Sequence, residues 1–167
     1  ERQGEVQFKE YGLSGICILD LSAVVARQKV QGISAQYSVV LDLVPKMDEA
    51  TLKSVVQSRI DGGYARQNLL VGILHNKLAA AVVKGANPAE QIANRAKNVP
   101  FFVDKLLDWS MSQVTAGGID SRFVDENLAL PNGVIALGEA LNVDGFCGGF
   151  NLYFAAASAI YAASKLK

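Results

Sequence analysis

Cysteine is scarce in this chain, and its spacing excludes two kinds of site. Only two cysteines, Cys17 and Cys147, occur among the 167 residues, and they lie far apart in the sequence. Without a C-x-x-C pair, the sequence predicts neither a zinc site nor a disulfide framework. This cysteine usage favours a reducing compartment, and we therefore predict that the protein lies in the cytoplasm.

Blocks of like charge and long apolar runs are also missing. Sixteen basic and sixteen acidic residues give a net charge of zero, which gives no support to nucleic-acid binding or to a polybasic membrane patch. Leu152 to Ala163, one of the longest apolar stretches, falls short of the roughly 18 to 20 residues that cross a bilayer. We expect neither nucleic acid nor a membrane as a partner. With 50% apolar residues, the length suits one domain or two small ones.

Histidine is nearly absent as well, which limits the catalytic chemistry. The single histidine, His75, follows Leu74 in an alanine-rich segment, where a lone histidine is more often a surface or packed residue than a base or ligand. No serine, histidine and acid set can be assembled around it, and hydrolysis by a triad is disfavoured. The sequence therefore names no catalytic residue and no metal ligand.

The first segment, residues 1–46, is predicted to contain strands. Val6 and Phe8 alternate with polar residues as in a half-buried strand, and a Gly-Leu-Ser-Gly turn leads into the apolar run Ile16 to Leu21, a strand or the start of a helix. Ile33 to Val44 alternates in the same way. These strands could belong to a small β-barrel.

Residues 47–99 are predicted to form a helical subdomain. Asp48 can cap a first helix in which four residues fall on one apolar stripe, namely Leu52, Val55, Val56 and Ile60. A second helix is predicted from about Gln67 to Lys84, and a third follows it.

The third helix has the strongest start signal, and a strand is expected after it. Asn87 is predicted as its N-cap, with Pro88 at the first helical position and Glu90 three residues after the cap. Phe101 to Leu107 is predicted to be a strand that returns to the barrel, within a segment that covers residues 100–113.

The last segment, residues 114–167, is rich in glycine. Val134 to Leu137 is predicted to be a strand that ends at a carboxylate, and further glycines precede an alanine-rich helix from Leu152 to Ser164. A carboxylate at a strand tip and a helix N-terminus favour a ligand with phosphate or polyol character. The alternative is a tight turn followed by a helix that starts at Asn151.

Four segments resemble one family in that family's order. They read VTAGG from Val114, ALGEALNVDG from Ala136, GGFNL from Gly148 and, earlier, EVQFKEYGLSGICILDLS from Glu5. They are similar to bacterial NAD(P)/FAD-dependent oxidoreductases of the HI0933-like family, which includes aminoacetone oxidase and the bile-acid-inducible flavoprotein N. The resemblance implies an α+β fold with a remnant of a small β-barrel, a helical insert, and the C-terminal strand, loop and helix of a two-dinucleotide-type FAD domain.

The resemblance also implies which residues bind the cofactor and the substrate. The carboxylate of Glu139 would bind the ribityl chain of FAD, although it could instead cap the following turn. The other implied flavin-binding residues are Gly138, Asp144, Gly145, Gly148, Gly149, Phe150 and Asn151. The implied substrate-side residues are Thr115, Gly117, Gly118 and Ser14. Cys147 stands where the family usually has threonine, and we interpret it as a small side chain that fills a tight space. The alternative is a reactive thiol near the flavin.

A larger enzyme is the final implication of the resemblance. Family members carry a glycine fingerprint in an N-terminal dinucleotide-binding unit, and this sequence contains no such fingerprint. We therefore expect the chain to be the C-terminal part of an FAD-dependent oxidoreductase of a small organic substrate, or a naturally shortened relative. Without the N-terminal half we expect it to bind FAD weakly. The alternative is a non-catalytic binding or dimerisation module, and a homodimer is possible in either case.

Overall fold

The computed structural model describes residues 1–166, which form two compact units. One unit contains Glu1–Ala35 and the residues from Lys105 onward, and the other contains Gln36–Asp104. The strands are β1 (Gln7–Lys9), β2 (Gly12–Ser14), β3 (Tyr37–Leu41) and β4 (Val99–Val103). The α-helices are α1 (Ile16–Val30), α2 (Glu49–Asp61), α3 (Asn76–Val83), α4 (Ala89–Lys97) and α5 (Phe150–Lys165). This combination of helices and small sheets confirms the predicted α+β class.

The described strands form two separate antiparallel pairs. β1 pairs with β2, and β3 pairs with β4 in a register that places Val39 opposite Phe101. The run after the Gly-Leu-Ser-Gly turn is helical and forms α1, so the second of the two interpretations of Ile16 to Leu21 is the right one. The predicted strand Ile33 to Val44 is too long at both ends, because β3 and its pairing with β4 cover only Tyr37–Leu41.

Proline lies inside β4 and does not interrupt its pairing. The predicted strand Phe101 to Leu107 is displaced, because β4 starts at Val99 and ends at Val103. Pro100 pairs with Val40. In a two-stranded sheet each strand has an outer edge, and a residue without an N–H group costs no ladder bond when its nitrogen faces that edge.

The unit Gln36–Asp104, here called the helical unit, contains a continuous apolar core. Asp48 caps α2 as predicted, since its carboxylate accepts a hydrogen bond from the Thr51 N–H at 2.7 Å. Leu52 and Val56 on the predicted stripe are fully buried, whereas Ile60 stays 36% exposed. The buried residues of this core are Val44, Leu52, Val56, Leu69, Leu70, Ala79, Val82, Val83, Ala86, Ala89, Ile92, Ala93 and Ala96.

The predicted second helix, Gln67 to Lys84, is wrong over its first half. Only a short 3-10 helix at Arg66–Asn68 and a turn precede α3, and Gly72 has φ +79°, which an α-helix does not contain. Arg59 of α2 explains this, because its guanidinium donates to the backbone oxygens of Leu69 and Val71, both at 2.9 Å. These carbonyls are therefore satisfied without a continuous helix.

The start of α4 lies one residue later than predicted. Its N-cap is Pro88 rather than Asn87. The side chain of Gln91, and not that of Glu90, accepts a hydrogen bond from the Asn87 N–H at 2.7 Å. Pro88 has no N–H and makes no side-chain cap bond, so the two reciprocal bonds of a capping box are absent, and Gln91 instead binds the residue before the cap.

The predicted strand Val134 to Leu137 is also wrong. Within residues 1–166 this run forms a single antiparallel bridge, between Ile135 and Ala129, beside the turn at Gly133. A strand needs a neighbour along its whole length, and the described chain supplies one only at this bridge. A 3-10 helix at Gly138–Ala140 follows directly.

Candidate functional site

The residues Asp144–Gly149, here called the glycine loop, lead directly into α5. Asn151 holds the loop in shape: its Oδ1 accepts from the Gly145 N–H at 2.8 Å, and its Nδ2 donates to the Gly145 oxygen at 3.1 Å. Gly148 and Gly149 have φ of +124° and +94°. A Cβ added to Gly149 would meet no atom within 4 Å, so open space lies in front of the backbone at this position.

The N-terminus of α5 is free of side-chain capping groups. Gly149 is its N-cap, with no side-chain hydrogen bond, and its first turn contains no acidic residue. Since the first N–H groups of a helix have no partner within the helix, α5 presents donors and a partial positive charge beside the glycine loop. Phe150, the first residue of α5, is 62% exposed. This end of the helix can accept an oxygen-rich or negatively charged group.

The predicted substrate-side glycines lie beside the predicted cofactor segment. Ile119 donates to the Ala140 oxygen and accepts from the Asn142 N–H, both at 2.8 Å. A Cβ on Gly118 would lie 2.7 Å from the Ala140 oxygen, whereas one on Gly117 would meet nothing within 4 Å. The close approach therefore requires glycine at position 118, and open space lies in front of position 117.

Glu139 connects these two segments. Its carboxylate accepts a hydrogen bond from the Thr115 N–H, and the residue is exposed. The partner precedes Glu139 in the chain by 24 residues, so this carboxylate caps the Val114–Gly118 segment rather than the turn that follows it. The carboxylate has a second oxygen, and contact with a ribityl chain stays a prediction.

Gly138 lies against α5 at a point where only glycine fits. It is buried with φ +53°, and an added Cβ would lie 2.9 Å from the Cβ of Ala155. Its N–H donates to the Ser158 hydroxyl at 3.0 Å, and that hydroxyl donates to the Ala155 oxygen at 3.0 Å. The 3-10 helix that carries Glu139 is thereby fixed to the side of α5.

Two residues of α1 contact the glycine loop, and the sequence did not point to either of them. Asp20 accepts a hydrogen bond from the Cys147 N–H at 2.8 Å. Arg27 forms an ion pair with Asp144, whose side chain is only 18% exposed. Residues seven apart lie on one face of a helix, but nothing in the sequence indicated that this face of α1 contacts the loop.

The thiol of Cys147 is protected from ionisation. Burial raises its pKa above the ordinary value, and the charge of Asp20 and a hydrogen bond to it act in the same direction. The predicted interpretation of Cys147 as a packing residue agrees with these surroundings, because the thiolate is the reactive form.

Other predicted positions lie outside these contacts. Ser14 ends β2, two residues before α1, and the structure shows no hydrogen bond from it to the glycine loop. His75 is exposed and is the N-cap of α3, where its Nδ1 accepts from the Lys77 N–H at 3.3 Å. Within residues 1–166, no three His, Cys, Asp or Glu side chains are grouped so that they could hold a metal ion.

An open apolar groove runs along the face of α5 that points away from Gly138. Its volume is about 480 Å³, and Tyr153 and Ile160 on its walls are 76% and 72% exposed. The other lining residues are Ala156, Ala157, Tyr161 and Ser164.

No helix among residues 1–166 is both long enough and apolar enough to span a bilayer.

Comparison with known proteins identifies the family. The chain is 27% identical over 180 aligned positions to the "3-dehydro-bile acid delta(4,6)-reductase" of Clostridium scindens, an alignment that covers 93% of this chain and 42% of that protein. The chain therefore spans less than half the length of this relative. Residues 1–124 match the family model of the HI0933-like protein barrel and H2TH domain. That match covers well over half of the sequence, and the chain belongs to the HI0933-like family of FAD-dependent oxidoreductases, as the sequence motifs predicted.

Proposed function

We propose that this chain is the C-terminal part of an FAD-dependent oxidoreductase that reduces or oxidises a small organic molecule. The observation that carries the proposal is the glycine loop, which faces open space at Gly149 and leads into the uncapped N-terminus of α5. The chain belongs to a family of FAD-dependent oxidoreductases, and the relative is named as a reductase. FAD is therefore the ligand that we propose for this loop. FAD, when bound, supplies the electron transfer.

The residues of the loop would bind and polarise the cofactor. The N–H groups of Gly149 and the first turn of α5 would face the flavin, and their partial positive charge would favour the negative charge of a reduced flavin. Glu139 would accept a hydrogen bond from a ribityl hydroxyl through the carboxylate oxygen that does not bind Thr115. Gly117 and Gly118 would lie on the substrate side.

The surface of α5 supports a further part of this proposal, a dinucleotide-binding half that covers the helix. One face of α5 packs on Gly138, and the opposite face carries the exposed groove. Its sequence from Phe150 to Ser164 contains no charged residue, and a helix that is apolar on all sides is normally buried in a larger domain. Without that half the phosphates of FAD would have no partner, so we expect weak binding to this chain alone.

Calorimetric titration with FAD tests the proposal, using this chain and the full-length protein. We expect tight binding and a flavin absorption spectrum for the full-length protein, and weak binding for the chain alone. Glu139→Ala should weaken the affinity about 3- to 10-fold, the value of one hydrogen bond. Glu139→Gln is the matched variant, because its amide oxygen still accepts from Thr115.

A different result would favour the second hypothesis. A full-length protein that binds no FAD and forms a stable dimer in sedimentation experiments would support a non-catalytic dimerisation module. The exposed apolar groove on α5 is the feature that would favour such an association.

A further inference from the structure

The contacts between α1 and the glycine loop follow a regular geometry. Asp20 and Arg27 lie seven residues apart, which is about 10 Å along a helix. Their partners, Cys147 and Asp144, are three residues apart, and three extended residues also span about 10 Å. The loop therefore runs antiparallel to α1 and is fixed to it near both ends.

These two contacts restrain a glycine-rich segment that Asn151 also holds at Gly145. Gly145, Gly148 and Gly149 lie in or just after the part of the loop that α1 holds, and glycine loses more conformational freedom on ordering than any other residue. The bond from the Cys147 N–H to Asp20 fixes the orientation of the peptide group between Phe146 and Cys147, one residue before Gly148. Because the Asp144 carboxylate is mostly covered by protein, its pair with Arg27 is screened less than a surface pair.

We propose that Asp20 and Arg27 are positioning residues of the cofactor site, which hold the glycine loop in the shape that receives the flavin. This inference rests on the proposed FAD function and adds α1 to the site. Neither side chain touches the flavin in this scheme. Their effect passes through the backbone from Asp144 to Gly149, which is the surface that the flavin would contact.

Two pairs of variants test the inference in the full-length protein, including any residues that precede Glu1. Asp20→Ala removes the acceptor of the Cys147 N–H, whereas Asp20→Asn keeps an acceptor oxygen. Arg27→Ala removes the ion pair, and Lys29→Ala removes one positive charge from the same turn of α1 as its matched control. Three quantities are measured: amide hydrogen exchange at Cys147 without FAD, the dissociation constant of FAD, and the reduction potential of the bound flavin.

The expected results separate positioning from general stability. Asp20→Ala should speed exchange at Cys147 and weaken FAD binding, each about 10-fold, and should shift the reduction potential. Asp20→Asn should restore the exchange rate and the affinity. Arg27→Ala should weaken FAD binding, and Lys29→Ala should leave it unchanged.

Two outcomes would overturn the inference in different ways. Asp20→Ala and Arg27→Ala proteins that bind FAD as tightly as the unmutated protein would refute the positioning role and leave the proposed function intact. An unmutated full-length protein without FAD binding would refute the proposed function, and this inference with it. If Asp20→Ala does not fold, the comparison of Arg27→Ala with Lys29→Ala decides the question.

Discussion

The replacement Gly138→Ala tests the contact on which the geometry of the candidate site depends. Gly138 holds the 3-10 helix that carries Glu139 against the side of α5. The new Cβ would lie 2.9 Å from the Cβ and 3.1 Å from the Cα of Ala155. Neither atom belongs to a flexible side chain, so the 3-10 helix and α5 would have to separate.

The magnitude follows from two costs. An alanine at φ +53° adopts the left-handed conformation, which costs roughly 1–2 kcal/mol. Insertion of a methyl group into a packed contact costs about 1–3 kcal/mol more. We therefore expect Gly138→Ala to lower the free energy of unfolding of the unit that contains α5 by about 2–5 kcal/mol.

Gly133→Ala is the matched control. Gly133 also has a positive φ, +80°, but an added Cβ would meet no atom within 4 Å. This control therefore measures the conformational cost alone. Urea denaturation followed by circular dichroism, together with hydrogen exchange over α5, measures the difference, which we expect to be about 1–3 kcal/mol.

A second substitution strengthens this test. Ala155→Gly removes the Cβ that lies closest to the new methyl group, so the double variant should be more stable than the sum of the single effects predicts. Equal destabilisation by Gly138→Ala and Gly133→Ala, without any rescue by Ala155→Gly, would refute the close contact between the 3-10 helix and α5.

Three further predictions concern separate parts of the chain. Leu52→Ala should lower the free energy of unfolding of the helical unit by about 2–5 kcal/mol in urea denaturation, because Leu52 is fully buried in its core. Hydrogen bonds from Thr51 lower the pKa of Asp48 in the folded protein. The cap of α2 therefore stabilises the fold above the ordinary carboxyl pKa of about 3.9, and this contribution is lost as the pH falls through the lower folded pKa. Melting curves recorded between about pH 2 and about pH 7 should show this loss of stability. Burial and Asp20 raise the pKa of Cys147, so Asp20→Asn should speed its alkylation by iodoacetamide, measured by peptide mass spectrometry.

Each of these predictions has a control and an outcome that contradicts it. Ser54→Ala, at an exposed position of α2, should change stability by less than about 0.5 kcal/mol, and an equal loss in Leu52→Ala would contradict the buried core. Asp48→Asn keeps the cap and loses the charge, so an unchanged pH dependence in this variant would assign the effect to another group. Cys17 is buried and serves as the internal reference, and equal alkylation of Cys147 with and without Asp20 would refute the effect of that carboxylate.

Local signals in the sequence predicted the elements that depend on neighbouring residues. The cap at Asp48 and the burial of Leu52 and Val56 were predicted correctly, because capping and helical periodicity act within two turns of chain. The second helix failed at Gly72, since Arg59 satisfies carbonyls from a different helix. The strand at Val134 to Leu137 failed because a strand depends on a pairing partner that local pattern does not reveal.

The candidate site also combines features that the sequence predicted with contacts that only the tertiary structure showed. The glycine motifs by themselves predicted the family, which the comparisons confirmed, since backbone conformations at positive φ restrict the residue type at single positions. The contact of these residues with a cofactor stays a prediction. Only the tertiary structure placed Asp20 and Arg27 on the glycine loop and Glu139 on Thr115. These contacts join residues that are 24 to 127 positions apart, and ordinary polar side chains can form them with any donor or acceptor that folding brings near.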